Sequence, residues 1–216
     1  MDFSFLSKYY MFFFDGVKIT IVLAFFTVLI GSILGLLLAI MKLSKNKVLN
    51  IISASYIEFI RGTPTLVQLY IVYYGLPNLG ITLPDIAAGI IALSVNSSAY
   101  IAEIIRAGIQ SVHKGQMEAA RSLGMPNSMG MRFIIIPQSI KNILPALGNE
   151  FIVVVKESSV ASIIGIHELM YNADTVRGNI FKPFEPLIVA AIMYFILTFL
   201  LSKLVGSLER RLKTGA

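Results

Sequence analysis

Long apolar runs separated by short polar interruptions make up most of the chain. Five of them have a length that crosses a bilayer as helix, roughly 17–25 residues. They cover about residues 17–41, 51–74, 86–106, 143–166 and 186–204. The pattern predicts an all-α membrane protein with five transmembrane helices, built as a single domain over residues 1–216. Residues 1–16 mix aromatic and polar positions, including Phe3, Phe5, Tyr9, Tyr10 and Phe12 to Phe14. That segment suits either a separate interfacial helix, because aromatic rings favour the headgroup zone, or the flank of the first span. Gly31 and Gly35, four apart in the first run, would let a neighbouring helix approach closely. The longest polar interruption is 115–137. It reads as a short amphipathic helix within 115–125, stopped by Gly124 and then Pro126. Residues 167–185 read as an external loop of mixed charge without evident chemistry.

Composition supports the membrane reading. Hydrophobic residues make up 56% of the chain and charged residues 14%, against about 25% charged in a soluble domain. The absence of cysteine excludes disulfides and thiol chemistry. The two histidines, His113 and His167, fall in loops and read as solvent-facing, so neither catalytic nor metal-ligating residues are expected. Residues 1–14 lack a basic start and a small-residue cleavage site, so no cleavable signal peptide is expected. A net charge of +6 invites a nucleic-acid reading. The distribution of the charge argues against it. Lys42, Lys45 and Lys47 follow the first span; Arg106, Lys114, Arg121, Arg132 and Lys141 follow the third; Lys203, Arg210, Arg211 and Lys213 follow the fifth. The opposite side carries Lys8, Lys18, Arg177 and Lys182. Basic residues accumulate in the cytoplasm, which puts the N-terminus outside and the C-terminus inside.

Ionisable groups inside spans are costly and mark pathways or bundle interiors. The second span carries Glu58, Arg61, Thr65 and Gln68; in an unbroken helix the last three would share one face. Pro64 cannot donate to the carbonyl of Ile60, which predicts a kinked or broken span with a carbonyl left free. Alternatively, Glu58 and Arg61 neutralise each other at i, i+3. In the third span, Asn96 and Tyr100 lie on one stripe with Glu103, and Ser97 sits beside it. Asn96 and Ser97 fit either a ligand or interhelical hydrogen bonds, and Glu103 with Arg106 reads as a structural pair. The fourth span carries Asn149, Glu150, Lys156 and Glu157 on two adjacent stripes, as a substrate site or as a seam between two subunits. An amino-acid ligand would place its carboxylate on Arg61 or Lys156 and its ammonium on the acids. Glu58, Glu150 and Glu157 outnumber Arg61 and Lys156, which favours a cationic side chain.

The ordered motifs resemble the membrane permease subunit of a polar amino-acid importer of the ATP-binding cassette (ABC) class. They are Tyr56 and Glu58 with Arg61 to Pro64 and Gln68; Ala99, Tyr100, Glu103 and Arg106 to Ile109; Glu118, Ala119, Ala120 and Gly124 through Pro137; then Gly148, Asn149 and Lys156 to Ser159. Ile136 stands where the loop motif usually has Leu, and Glu157 with Ser158 where the family more often has Asp-Thr. The resemblance implies the type I ABC importer permease fold in a bacterial inner membrane. It implies that 115–125 is a cytoplasmic coupling helix, with Glu118, Ala119, Ala120 and Gly124 meeting an ATPase. It further implies two ATPase copies, a second permease subunit (identical or closely related) and an extracytoplasmic binding protein. The substrate class would be a polar or basic amino acid such as arginine, lysine, histidine or glutamine. The chain has no GxxxxGK[ST] loop, so ATP and magnesium would belong to the partner and the chain itself needs no cofactor. A passive channel, which would need no coupling helix, and an intramembrane enzyme, whose apparatus is missing, are the rival classes.

Overall fold

The computed structural model describes residues 1–214, all of whose regular structure is helical. Gly215 and Ala216, at the end of the expected domain, and the side chains of Lys213 and Thr214 lie outside the described residues. The helices are α1 (Leu6–Leu43), α2 (Lys47–Arg61), α3 (Thr65–Asn78), α4 (Asp85–Gln110), α5 (Lys114–Ser122), α6 (Asn127–Gly130), α7 (Ile136–Glu157), α8 (Leu169–Ile180) and α9 (Glu185–Thr214). A π turn, Met131–Ile135, leads into α7, and a 3-10 turn, Ser158–Ile164, leaves it.

Three of these helices, α1, α4 and α9, are each long and apolar enough to cross a membrane. The other two expected spans are interrupted. Residues 51–74 divide into α2 and α3 at Gly62 to Pro64. Residues 143–166 pass from α7 into the 3-10 turn at Ser158. Residues 1–16 do not form a helix of their own, because α1 runs unbroken from Leu6. Phe5 and Phe13 are buried in a cluster with Leu169, Ala173, Val176 and Ala190, which holds that segment to the bundle. Beside it, Lys182 donates to the carbonyl of Asp2 (3.2 Å) and pairs with its side chain. The Lys182 ammonium holds the Asp2 carboxyl well below the usual carboxylate range.

α4 is the central rod: 67% of its apolar window is buried, against 28% for α1 and 6% for α9. The buried seam of α1 is mostly small residues, Gly16, Thr20, Ala24, Thr27, Gly31, Gly35 and Ala39, while Phe25, Phe26, Leu29, Ile33 and Leu37 point outward. Lipid is as apolar as leucine, so helices in a bilayer gain most by close backbone contact, and small residues turn inward. The expected close approach at Gly31 and Gly35 is to α4. A Cβ on Gly35 would lie 2.8 Å from Ile101 Cγ2 and 2.9 Å from the Ser98 carbonyl.

The segment 167–185 is not a loop. It holds α8, whose Leu169, Asn172, Ala173 and Val176 are buried against α1 and α9. At the C-terminal end of α1, Lys42 and Arg106 both grip Glu103, at 2.7 Å each, so the expected Glu103–Arg106 pair forms and also ties α1 to α4.

Candidate functional site

The break in the second span is built by Pro64. Without an N–H it leaves the Ile60 carbonyl without its helical donor, and α2 ends at Arg61. The exposed carbonyls do not stay free. Thr63 Oγ1 donates to the Phe59 carbonyl at 3.0 Å. Gln68, in the first turn of α3, reaches back over the break. Its amide donates to the Ile60 carbonyl (2.7 Å), the Thr63 carbonyl (3.1 Å) and Thr63 Oγ1 (2.8 Å). On its other side, Gln68 Oε1 accepts from Asn96 Nδ2 of α4 at 3.0 Å. Both side chains are buried. The break also cancels the shared face expected of Arg61, Thr65 and Gln68: Arg61 is exposed, Thr65 half-buried and Gln68 buried.

Arg61 and Glu58 form no ion pair with each other. The Arg61 guanidinium lies 5.4 Å from the ring centroid of Tyr100 on α4, a cation–π contact. One helical turn earlier on α4, Ser97 Oγ donates to Glu150 Oε1 of α7 at 2.8 Å, and both residues are buried. A single stretch of α4, Asn96 to Tyr100, therefore gathers the polar groups of the second and fourth spans. Asn149 and Lys156 are exposed, and Glu157 is half-buried. Glu58, Arg61, Asn149 and Lys156 are thus open in the single chain, within the expected spans, where facing lipid would be costly. Their open side suits a water-filled passage or the face of another subunit.

The polar interruption folds as expected. α5 spans Lys114–Ser122, slightly shorter than 115–125. Gly124 takes the left-handed conformation, φ +81. Its N–H donates to the Arg121 carbonyl (2.9 Å) and that of Met125 to the Ala120 carbonyl (3.1 Å), a Schellman motif. Glu118 and Ala119 are exposed, as is Leu123. Ala120 is buried instead, because it and Met117 both face Gly130 inside the chain. His113 is not merely solvent-facing: its Nδ1 accepts from the Gly115 N–H at 3.1 Å and caps α5. His167 is exposed and stacks on Tyr171.

Sequence reasoning missed a polar node around Glu168. This fully buried carboxylate accepts from the N–H groups of Met170 (2.9 Å) and Tyr171 (2.7 Å) and from the Tyr194 hydroxyl (2.7 Å). Thr20 Oγ1 accepts from the Leu169 N–H, and Asn172 donates to the Phe12 carbonyl. The signal was present: an acidic cap followed by apolar positions at Leu169, Ala173 and Val176 is a helix start.

Comparison with known proteins adds the following. A family model described as "Binding-protein-dependent transport system inner membrane component" matches residues 31–214. The probable glutamine ABC transporter permease protein GlnM of Bacillus subtilis strain 168 is 44% identical over 214 residues, covering 99% of each chain. The arginine transport system permease protein ArtQ of the same organism is 40% identical over 216 residues, covering 100% of this chain and 99% of that protein. A solved structure described as an amino acid ABC transporter with histidines superposes with a TM-score of 0.94 at 52% identity, covering 98% of this chain and 99% of that one.

Proposed function

The chain belongs to the family of binding-protein-dependent transport system inner membrane components, and we propose that it is the permease subunit of an ATP-driven importer for a polar, preferentially basic, amino acid. As a permease it is a membrane-spanning transport subunit and not itself an enzyme; a separate subunit hydrolyses ATP, and a binding protein delivers the solute. The finer assignments are our own reading. Five membrane crossings put the N-terminus outside and α5 in the cytoplasm, in keeping with the crowding of basic residues after the first, third and fifth spans. Two ATPase copies, each holding ATP and magnesium, would receive Glu118, Ala119 and Leu123 from two permease subunits, identical or closely related.

The observation that carries the substrate assignment is the buried Glu150 carboxyl, held by Ser97 at 2.8 Å beside an open polar surface. A carboxylate fixed in a low-dielectric wall attracts an ammonium or guanidinium strongly. Glu58 and Glu157 add to that preference. Arg61 and Lys156, with Asn149 and Thr65, would meet the substrate carboxylate and polar atoms. The open N-terminal end of α3, just past Arg61, favours the same carboxylate. Gln68 and Asn96 stand behind this surface, their amides engaged with the break and with each other.

The test is a screen of all amino acids for stimulation of ATP hydrolysis by the complex reconstituted with its ATPase and binding protein. Arginine, lysine, histidine or glutamine should stimulate most. Stimulation confined to acidic or aliphatic amino acids would refute the assignment. Glu150→Ala should raise the half-saturating concentration of the basic substrate about tenfold, the loss of one charge-assisted contact. Equal shifts for basic and neutral substrates would remove Glu150 from the site.

A further inference from the structure

We infer that the Gln68–Asn96 amide pair is a positioning device, one that registers the broken second span to the rod that leads to the ATPase. Four observations support it. The first is the direction of the bonds. Gln68 is in α3 but donates back across the break to Ile60 and Thr63, so its amide holds the end of α2 and the start of α3 in one relative arrangement. The second is the amide's other end. Its Oε1 is taken by Asn96 of α4, which fixes which way the amide faces and ties the break to the rod. The third is the rod itself. α4 is unbroken from Asp85 to Gln110, and only Ser111 to His113 separate it from α5. Asn96 stands fourteen residues before the end of α4, roughly 20 Å at 1.5 Å per residue. The fourth is Ser97. Next to Asn96, it reaches a different helix and holds Glu150 of α7. Two consecutive residues of one rod therefore grip the two walls of the proposed passage.

The physical consequence concerns how motion is shared. A displacement of α5 carried along α4 reaches Asn96 and Ser97 together. Through Ser97 it moves the Glu150 wall. Through Asn96 and Gln68 it moves the hinge at Gly62 to Pro64, and with it Arg61, which has no ion-pair partner in its own helix to restrain it. A helix pair can transmit such a shift only where it has discrete bonded arrangements rather than a greasy contact. The amide pair supplies that bond on the side of the break, where Pro64 leaves the Ile60 carbonyl for the Gln68 side chain to take. Gln68 and Asn96 act through Arg61 and the hinge, not by touching substrate.

This inference rests on the importer reading, and its test separates the two. The wild-type complex with its ATPase and binding protein is reconstituted in vesicles, and uptake per ATP hydrolysed is measured for whichever solute it imports. A wrong substrate class would leave this outcome unchanged. Gln68→Met and Asn96→Leu are compared singly and together. Each single change should lower uptake per ATP about tenfold, and the double change no further, because one link is broken in all three. The half-saturating substrate concentration should stay within about twofold, the KM side of the split that a lost substrate contact would move. Three results would overturn the inference: wild-type uptake per ATP in either single variant, effects that multiply in the double variant, or a large rise in half-saturation with uptake per ATP intact. Should Gln68→Met not assemble, Asn96→Leu alone carries the same test, because it removes the donor to Gln68 and adds no charge.

Discussion

Two short helices outside the apolar runs, α5 and α8, have opposite fates. α8 is fastened on every side. Glu168 caps it with two backbone bonds and takes a third from Tyr194, and Thr20 and Phe12 hold it to α1. Four of its side chains are buried. α5 buries only Ala120, and its exit at Leu123 is 81% exposed. Its ends are closed by its own backbone and by His113, Arg121 donates to the nearby Asn127, and its tie to a span is the exposed 3.3 Å hydrogen bond that Gln138 of α7 donates to Gln116. A helix that finishes most of its hydrogen bonds locally and leaves its face open is free to be completed by another molecule. One whose cap is shared with two spans is part of the frame. The contrast gives the molecule a fixed end at α8 and a more open end at α5.

That contrast breaks first at Glu168. Removing this carboxyl leaves two amides and a hydroxyl without partners in a buried place. Glu168→Ala should therefore cost about 3 kcal/mol, read as a lower midpoint of thermal unfolding in detergent. An unchanged midpoint would mean that α8 is not part of the frame. The next effect separates adjacent alanines of α5. Ala120→Leu has to push against Gly130 and should destabilise by about 2 kcal/mol. Ala119→Leu, on the open face, should stay within about 0.5 kcal/mol, while co-purification of the ATPase falls. If Ala119→Leu destabilised as much as its neighbour, the open face would not be free. A small effect on stability also belongs to Gly124→Asp. At φ +81 an Asp is strained by only about 1 kcal/mol, so the protein should still insert. It should, however, lose ATP-driven uptake in loaded vesicles. Normal uptake would show that the exit angle of α5 does not matter.

The two helices also differ in how readable they were. α5 could be read because its instructions are local: a left-handed glycine, a proline two residues on, and a motif contained in one stretch. α8 was read as a loop because its stability is not local. Its polarity is satisfied by Thr20, Phe12 and Tyr194, which are distant in sequence. Gln68 teaches the same lesson in the second span. Its spacing from Arg61 puts both on one face only if the helix continues. The sequence shows that Pro64 must free a carbonyl, but not that the acceptor is filled by a side chain eight residues on.

The sequence by itself determined the class, and it carries the proposals for the topology and for the place of contact with an ATPase. Length of apolar run, side of basic charge and turn chemistry are all properties of neighbouring residues. It also identified the ionisable groups that a membrane would not tolerate against lipid. Only the tertiary structure decided what each of them does. Glu103 turned out to be shared by Lys42 and Arg106, Glu150 to be held by Ser97, and Gln68 and Asn96 to be engaged with each other. The reason is physical: a buried polar group must find a partner, and in a helical membrane protein, where each backbone largely satisfies itself, that partner often lies on another helix, at a sequence distance that no local pattern records.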